Sequence, residues 1–325
     1  MRRMSAEAAS EVAERVPGLS VVVPVFNAAA TLRPLLARLR PVLARAAERY
    51  EVVLVNDGSR DGSWDLIEQL CREQAGVRGL NLMRNYGQHN ALLAGIRAAR
   101  FGLIVTLDDD LQNPPEELPR LLAKLAEGFD VVYGAPARDC NGVWRGLASR
   151  LIRLALQSAM GAATARRVSA FRALRTELRR GFADYDSPAV SIDVLLTWAT
   201  TRFAAVTVRH EPRQAGASNY TFGKLAILAL DMMTGFSAWP LRLASLVGLG
   251  FTLFGLAVLA YVLGRYLIAG GSVPGFPFLA STIAIFSGAQ LFALGVIGEY
   301  LGRVHFRSMK RPAYVVRAEA GRSEP

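Results

Sequence analysis

Cysteine and histidine are scarce in this chain of 325 residues, which contains two of the first and three of the second. Cys71 and Cys140 lie far apart, which excludes a scaffold built on disulfides and a zinc cluster made of cysteines alone. The opening stretch MRRMSAEAASEVAER has no apolar core. We therefore expect no cleavable signal peptide, and a flexible tail over residues 1–17.

Acidic residues are also in short supply, with 27 against 38 basic ones and a net charge of +11. A basic balance suits nucleic acid, an anionic membrane surface or a phosphorylated substrate. Hydrophobic residues make up 52% of the chain, which excludes a disordered protein. The basic residues concentrate around the apolar C-terminal segments, so we expect no nucleic-acid partner.

Two long runs contain no charged residue, over residues 243–263 and 276–297. The first has 21 residues, about 31 Å of helix, which is enough to cross a bilayer core. Buried core helices are the alternative, but such helices seldom run past 20 residues without a charge. We expect a transmembrane domain over residues 241–302 that contains both spans.

The distribution of positive charge predicts the orientation of these spans. The turn between the runs carries one charge, Arg265, whereas four basic residues follow the second run: Arg303, Arg307, Lys310 and Arg311. The positive-inside rule then places residues 303–325 in the cytoplasm as a basic tail. Two spans put the N-terminal 240 residues in the cytoplasm too.

Two further stretches have the composition of helices at a membrane surface. In residues 143–160, Arg145, Arg150 and Arg153 share one helical face and Trp144 lies opposite, a pattern typical of interfacial helices. A helix packed on a sheet is the open alternative. Residues 223–240 run directly into the first span, so we expect a juxtamembrane helix there.

The remaining sequence alternates strand and helix signals. Short β-branched runs predict strands over residues 19–26, 51–59, 77–83, 102–107 and 130–133, with helices over residues 31–50, 61–75 and 88–100. This alternation indicates an α/β cytoplasmic domain over residues 18–222, with a mostly parallel sheet and helices on both faces. Ligands of such sheets bind beyond the carboxyl ends of the strands.

Three consecutive aspartates follow the fourth predicted strand, Asp108, Asp109 and Asp110. Unpaired, they would raise one another's pKa, and a hard divalent cation such as Mg²⁺ or Mn²⁺ relieves this repulsion. In an extended segment Asp108 and Asp110 face one side while Asp109 points away. The alternatives are a solvated acidic loop or a helix N-cap.

Four other side chains are candidates for ligand contacts. Asp57 ends the second predicted strand, where its carboxylate could accept a hydrogen bond from a base or ribose, or form an ordinary Asx turn. His89 is either catalytic or satisfied by a local bond. Arg172 and Arg213 are candidates for diphosphate contacts, because arginine pairs bidentately with phosphate, or are surface arginines.

Seven motifs carry a resemblance that covers nearly the whole chain. In order they read VVVPVFN, VNDGS, RNYGQHNALLAG, TLDDDLQNPPEELPRL, AFRALR, RQAGASNY and GEYLGRVHFRSMKRPAYVV. Together they resemble the family 2 glycosyltransferases that act on polyprenyl phosphates. RNYGQH and DLQNPPEE are most similar to the undecaprenyl-phosphate 4-deoxy-4-formamido-L-arabinose transferases. Undecaprenyl-phosphate glucosyltransferases and dolichyl-phosphate mannose synthases are more distant.

The resemblance implies a GT-A-like fold and a role for each matching residue. It implies a nucleoside pocket made by Pro24, Phe26, Val55 and Asp57. Asp108 and Asp110 would hold the metal beside the diphosphate, with Asp109 between them and Gln112 near the donor. A loop that closes over the donor would carry Arg213, which binds diphosphate, with Ser218 and Tyr220. Arg172 would meet the lipid phosphate.

The implied reaction is an inverting, metal-dependent transfer of a sugar from a nucleotide sugar, with UDP as the expected nucleotide. The acceptor would be undecaprenyl phosphate, on the cytoplasmic face of a bacterial inner membrane. The product would be a polyprenyl-linked sugar for cell-envelope glycan or lipid modification. The resemblance also implies a homo-oligomer.

Five positions depart from the family pattern: Ala28 for Glu, Asn56 for Asp, Asp109 for Ala, Ala217 for a loop glutamate, and Asn219 for a loop lysine. These changes leave open a membrane protein that binds nucleotide sugars without turnover. A processive polysaccharide synthase would share the sheet and the aspartates. Such a synthase normally carries a Q-x-x-R-W stretch and more spans, neither of which this sequence has.

Arg213→Ala tests the implied diphosphate contact. Because the loop lysine is replaced by Asn219, Arg213 carries more of the diphosphate charge. We expect the substitution to weaken nucleotide-sugar binding more than lipid-phosphate binding, with each affinity measured by titration of the full chain. Equal losses for both ligands would contradict the assignment.

Overall fold

The computed structural model describes residues 15–136, 168–187, 190–211, 239–269, 275–309 and 311–321. These residues form two compact units. One unit contains a large sheet with its helices, and the other contains two long helices.

The sheet unit contains eight strands and five helices. Its strands are β1 Val16–Val25, β2 Ala47–Asn56, β3 Val77–Leu82, β4 Leu103–Thr106, β5 Val131–Pro136, β6 Arg172–Arg175, β7 Phe203–Val208 and β8 Val316–Ala320. Its helices are α1 Ala29–Ala46, α2 Ser63–Glu73, α3 Gln88–Ala98, α4 Leu118–Ala126 and α5 Ile192–Ala199. Short 3-10 helices cover Pro115–Glu117 and Thr176–Phe182.

The strands lie in the order β7-β5-β6-β4-β1-β2-β3-β8. The pairs β1–β2, β1–β4, β2–β3 and β5–β7 are parallel, and the other three pairs are antiparallel. The predicted mostly parallel sheet is therefore confirmed. Parallel strands need a crossover, and the helices that make these crossovers cover the sheet.

Alternate residues of β1 pack into hydrophobic clusters on opposite faces of the sheet. Val21 and Val23 belong to the cluster that contains α1 and α4, whereas Val22 belongs to the cluster that contains α3. All three side chains are fully buried. A run of consecutive β-branched residues suits this position, because both faces of the strand are covered.

One predicted helix ends earlier in the structure than expected. The prediction ran to residue 50, but α1 ends at Ala46 and β2 begins at Ala47. Glu51, four residues further on, is buried in β2, where it accepts hydrogen bonds from Ser20 Oγ at 2.7 Å and Arg78 Nη1 at 2.8 Å. These contacts come from β1 and β3, so the strand boundary depends on partners that are distant in sequence.

The C-terminal segment supplies an edge strand. β8 pairs antiparallel with β3, and the Met83 backbone N–H donates to the Val315 carbonyl at 2.9 Å. Ala313 is buried, and Tyr314 packs against the α3 side of the core. Residues 316–320, which lie within the basic tail predicted over residues 303–325, therefore belong to the sheet.

The second unit contains two long helices, α6 Trp239–Ala269 and α7 Phe276–Ser308. Phe251 and Phe286 make an edge-to-face contact between them, with ring centroids 6.0 Å apart. Among the described residues, one window is long and apolar enough to cross a membrane, Ala244–Tyr261, with a mean hydropathy of 1.9 and 6% of the window buried. Both helices extend past the predicted spans.

Gly95→Ala tests the close packing of α3 on the sheet. A methyl group at Gly95 would overlap Val22 Cγ1 and lie 3.0 Å from Val55 Cγ2. Overpacking of this kind costs about 1–3 kcal/mol, so we expect a lower melting temperature in thermal unfolding. Gly102→Ala is the control, because a methyl group there meets nothing within 4 Å. Equal melting temperatures for the two variants would contradict the packing described here.

Candidate active site

The first turns after β1, β2 and β4 meet at the carboxyl edge of the sheet. The Asp57 backbone N–H donates to the Val25 carbonyl at 2.9 Å, and the Phe26 N–H donates to Asp109 Oδ2 at 3.3 Å. Because β1 lies between β2 and β4, its end contacts both neighbouring turns. The residues predicted at three strand ends are therefore brought together.

The three aspartates form a turn rather than an extended segment. Asp109 and Asp110 lie in the turn itself, and Leu111 has a φ of 60°. The predicted alternation of side chains about an extended backbone is therefore wrong. Each carboxylate accepts from a different donor: Asp108 from Gln88 Nε2 at 2.7 Å, Asp109 from Phe26, and Asp110 from the Gln112 N–H at 3.1 Å.

Burial in this turn raises the pKa of Asp109 to about 7, and the charges of Asp108 and Asp110 add to the increase. The N–H of Phe26 acts in the opposite direction. A divalent cation at the turn would relieve the repulsion among the carboxylates. Mg²⁺ and Mn²⁺ prefer oxygen ligands and take one or two carboxylates together with substrate phosphates. The carboxylate oxygens of the turn match this preference in chemistry, but among the described residues no three His, Cys, Asp or Glu side chains lie close enough together to hold a metal ion by themselves.

Asp57 holds the loop that follows β3. It is almost fully buried and accepts from the N–H groups of Tyr86 at 2.7 Å and Gly87 at 2.8 Å. Burial raises the pKa of Asp57, partly offset by these two bonds. The carboxylate of Asp57 therefore bonds to a distant loop and not to its own turn, in which Asn56 Oδ1 accepts from the Ser59 N–H, three residues on, at 3.3 Å.

The same loop reaches the aspartates through Gln88. Arg84 stacks on the Tyr86 ring at 4.4 Å, and Gln88 at the start of α3 donates to Asp108. Gln88 was not predicted as a site residue, although it lies inside the RNYGQH motif. Its side-chain amide at the first residue of a helix was the available signal.

The turns after β1 and β2 interlock through side chains that the sequence analysis also missed. The Asn27 N–H donates to Ser59 Oγ at 2.9 Å, and the Ala29 N–H donates to Asp61 Oδ2 at 3.1 Å. Asn27 has a φ of 53°, a conformation that asparagine tolerates better than most residues. The clustering of Asn, Ser and Asp in both turns was the available signal.

The remaining residues predicted for the donor pocket differ in exposure. Phe26 is 42% exposed beside the aspartate turn, whereas Pro24 and Val55 are buried strand residues. Val55 belongs to the α3 side of the core, so its side chain has no exposed surface. Gln112 is half-buried, and its carbonyl accepts from the Glu211 N–H at 2.8 Å.

Arg172 has a different partner from the predicted lipid phosphate. Its side chain is 2% exposed and forms an ion pair with buried Asp193, which also accepts from the Tyr133 hydroxyl at 3.0 Å. His89 lies beside this group, and its Nδ1 accepts from the Ile192 N–H at 3.4 Å. Loss of water contact lowers the pKa of His89, which agrees with the alternative of a local structural bond.

Arg213, Ser218 and Tyr220 lie outside the described residues. So do the predicted interfacial helix over 143–160 and all but the last two residues of the predicted juxtamembrane helix over 223–240. The assignments of these residues and helices stay predictions.

The mostly parallel α/β sheet, with carboxylates gathered at its carboxyl edge, has a GT-A-like fold. The model of a family described as "Glycosyl transferase family 2" matches residues 20–181. Curated relatives that are 36% and 37% identical to this chain also match more than nine-tenths of it. The chain belongs to this family.

Two curated relatives are named undecaprenyl-phosphate 4-deoxy-4-formamido-L-arabinose transferase. The protein from Pseudomonas aeruginosa (strain LESB58) is 37% identical over 301 residues, covering 92% of this chain and 89% of its own. The protein from Proteus mirabilis (strain HI4320) is 36% identical over 316 residues, covering 96% and 97%. A crystal structure of a mycobacterial protein has a TM-score of 0.50 at 19% identity over 68% of this chain and 73% of its own, which supports the fold.

Asp109→Asn tests the buried carboxyl group in the absence of metal. An ordinary aspartate loses its proton near pH 4, whereas folded Asp109 keeps it to about pH 7. The folded state therefore binds more protons than the unfolded state between these values, and Asp109 lowers stability as the pH rises through this window. We expect the variant to lose less stability than the native chain from pH 5 to pH 8, measured as melting temperature.

The side-chain amide in this variant keeps an oxygen that can accept from the Phe26 N–H, so the comparison isolates the ionisation. Addition of Mg²⁺ or Mn²⁺ should restore part of the native chain's stability at pH 8, because the cation favours ionised carboxylates. Parallel pH profiles for the two proteins without metal would contradict a raised pKa at Asp109.

Proposed function

We propose that this chain transfers a sugar from a nucleotide sugar to undecaprenyl phosphate, with inversion at the anomeric carbon. The observation that carries the proposal is the cluster of three carboxylates, with Asp110 buried and Asp108 and Asp109 half-buried, at the carboxyl edge of a family 2 sheet. The printed names of the two relatives, which match nearly the whole chain, support undecaprenyl phosphate as the acceptor.

Asp108 and Asp110 would hold a Mg²⁺ or Mn²⁺ ion together with the donor diphosphate. When bound, the ion would stabilise the charge that develops on the departing nucleoside diphosphate. Gln88 keeps Asp108 in place, and the Gln112 N–H keeps Asp110 in place. These second contacts orient the carboxylates before the donor arrives.

The acceptor makes a general base unnecessary. A lipid phosphate monoester is already largely anionic at neutral pH, so the protein's task is to hold one phosphate oxygen in line with the anomeric carbon. Direct attack from the face opposite the leaving group inverts that carbon. The exposed ring of Phe26 and the loop held by Asp57 would bind the nucleoside, for which we propose uridine.

Two arginines have different roles in the proposed reaction. Arg213 would pair with the diphosphate in place of the lysine that Asn219 replaces. Arg172 is 2% exposed and has no surface for a lipid headgroup, so we propose no direct phosphate contact for it. Its ion pair with Asp193 would instead support the site from the interior of the fold. Their ion pair lies on β6 and α5, and Arg172 is opposite Thr106, two residues before Asp108.

The two long helices would hold the enzyme at the membrane that contains its lipid acceptor. We propose that α6 and α7 both cross a bacterial inner membrane, with the sheet unit and both termini in the cytoplasm. The exposed apolar side chains of both helices support this, among them Leu249 and Leu253 on α6 and Leu291 and Leu294 on α7. The basic residues that follow residue 297 support the orientation.

Asp110→Asn tests the reaction and the role of the carboxylates. The substitution removes the charge but keeps an oxygen that can accept from Gln112, so we expect folding to survive. Transfer of radiolabelled sugar from a panel of UDP-sugars to undecaprenyl phosphate, with Mg²⁺ or Mn²⁺, should fall roughly 100-fold or more, because metal contacts of this kind supply several kcal/mol in the transition state.

Asp65→Asn is the matched control, since Asp65 is an exposed carboxylate in the first turn of α2. The control should transfer sugar at the native rate. Unchanged turnover in the Asp110 variant would remove its metal role. A native chain that binds a nucleotide sugar but transfers none would identify a binding protein rather than an enzyme.

A further inference from the structure

Arg38, on α1, joins two segments that flank the candidate site. Its guanidinium forms a double hydrogen bond with Glu116, at 3.1 and 2.9 Å, and another with Glu211, at 3.0 and 3.2 Å. Glu116 follows the aspartate turn by six residues, and Glu211 follows β7 by three. One side chain therefore bridges the two segments with four charge-assisted bonds.

Two further contacts hold the same pair of segments together. The Glu211 N–H donates to the Gln112 carbonyl at 2.8 Å, and Arg209 Nε donates to Glu117 Oε1 at 2.6 Å. The hydrogen bond from Arg38 lowers the pKa of Glu211, so that carboxylate stays ionised at neutral pH. The chain that leaves β7 is thus fixed to the backbone of Gln112, two residues after Asp110.

A second arginine on α1, Arg33, forms an ordinary ion pair on the protein surface. Arg33 makes a double hydrogen bond with Glu73, at 2.9 and 3.2 Å, but this pair joins α1 only to the end of α2. Surface pairs of this type contribute little to stability. The two arginines differ in which segments they connect, not in their chemistry or in their helix.

We propose that Arg38 is a positioning residue for sugar transfer. It fixes residues 209–211 on the carbonyl of Gln112, whose N–H donates to Asp110, and so helps to hold the aspartate turn. The inference rests on the proposed function for its catalytic consequence. Its structural part, that Arg38 holds Glu211 on Gln112, does not need that function to be correct. Planar bidentate pairing makes arginine irreplaceable by lysine at this point.

The test compares Arg38→Ala, Arg38→Lys and the control Arg33→Ala in the full-length chain. Hydrogen–deuterium exchange of the peptide that covers residues 209–211 reports directly on the Glu211–Gln112 bond. We expect faster exchange there in both Arg38 variants and native exchange in the Arg33 control. Exchange in β1 and β2 should stay native in all three, which separates a local release from general unfolding.

Steady-state transfer then measures the consequence for the reaction. In Arg38→Ala we expect the KM for the nucleotide sugar to rise roughly tenfold, with a smaller change in the KM for the lipid phosphate, because displacement of the aspartate turn would weaken donor contacts first. Arg38→Lys should resemble the alanine variant, since it keeps the charge and loses the paired geometry. Arg33→Ala should match the native enzyme in both constants.

Native exchange at residues 209–211 in Arg38→Ala would overturn the proposal. So would faster exchange with an unchanged donor KM, because the contact would then be structural only. If the native chain transfers no sugar at all, the proposed function fails, and the catalytic part of this proposal is overturned with it. The exchange data would still decide whether Arg38 holds Glu211 on Gln112.

Discussion

The candidate site depends on one constraint, which is that three carboxylates, one buried and two half-buried, lie side by side at the end of β4. Burial and mutual repulsion favour a protonated Asp109. Each carboxylate accepts a hydrogen bond: Asp109 from the Phe26 N–H, Asp108 from Gln88 and Asp110 from the Gln112 N–H. These donors come from three different elements. The position of β1, of α3 and of the chain after the turn is therefore tied to the same small volume, in which, under the proposed function, a divalent cation would balance the charge of the carboxylates and of a donor diphosphate.

Buried polar contacts also join the strands and helices inside the α/β unit. Glu51 joins β1 to β3 through Ser20 and Arg78, and Asp193 joins α5 to β5 and β6 through Tyr133 and Arg172. Each of these groups is buried, so loss of one partner would leave an unpaired charge or dipole in the core. The cost of such a loss favours the observed arrangement of these strands and helices.

The sequence predicted the parts of this architecture that rest on local patterns. Apolar β-branched runs located β1 to β5, and the turn residues after them located the carboxyl edge where Asp57 and Asp108 meet. The sequence pattern gave the wrong structure where contacts with a distant strand decide the backbone conformation. Residues 47–50 continue a helical pattern, but their neighbours in β1 draw them into β2. β6 carries Arg172 and Arg175 in four residues, and β8 reads VRAEA, so neither has the apolar run of a buried strand.

By itself, then, the amino-acid order determined the fold class, the family and the aspartates that define the candidate site, because hydrophobic periodicity and short motifs act over a few residues. Only the tertiary structure decided what each charged side chain contacts. Arg172 is a candidate for phosphate in the sequence, yet it lies buried against Asp193, whereas Arg38 looks like an ordinary helix-surface arginine and joins residues 116 and 211. A charge acts on whatever lies within a few ångströms, and in a sheet built from crossovers those neighbours come from distant parts of the chain.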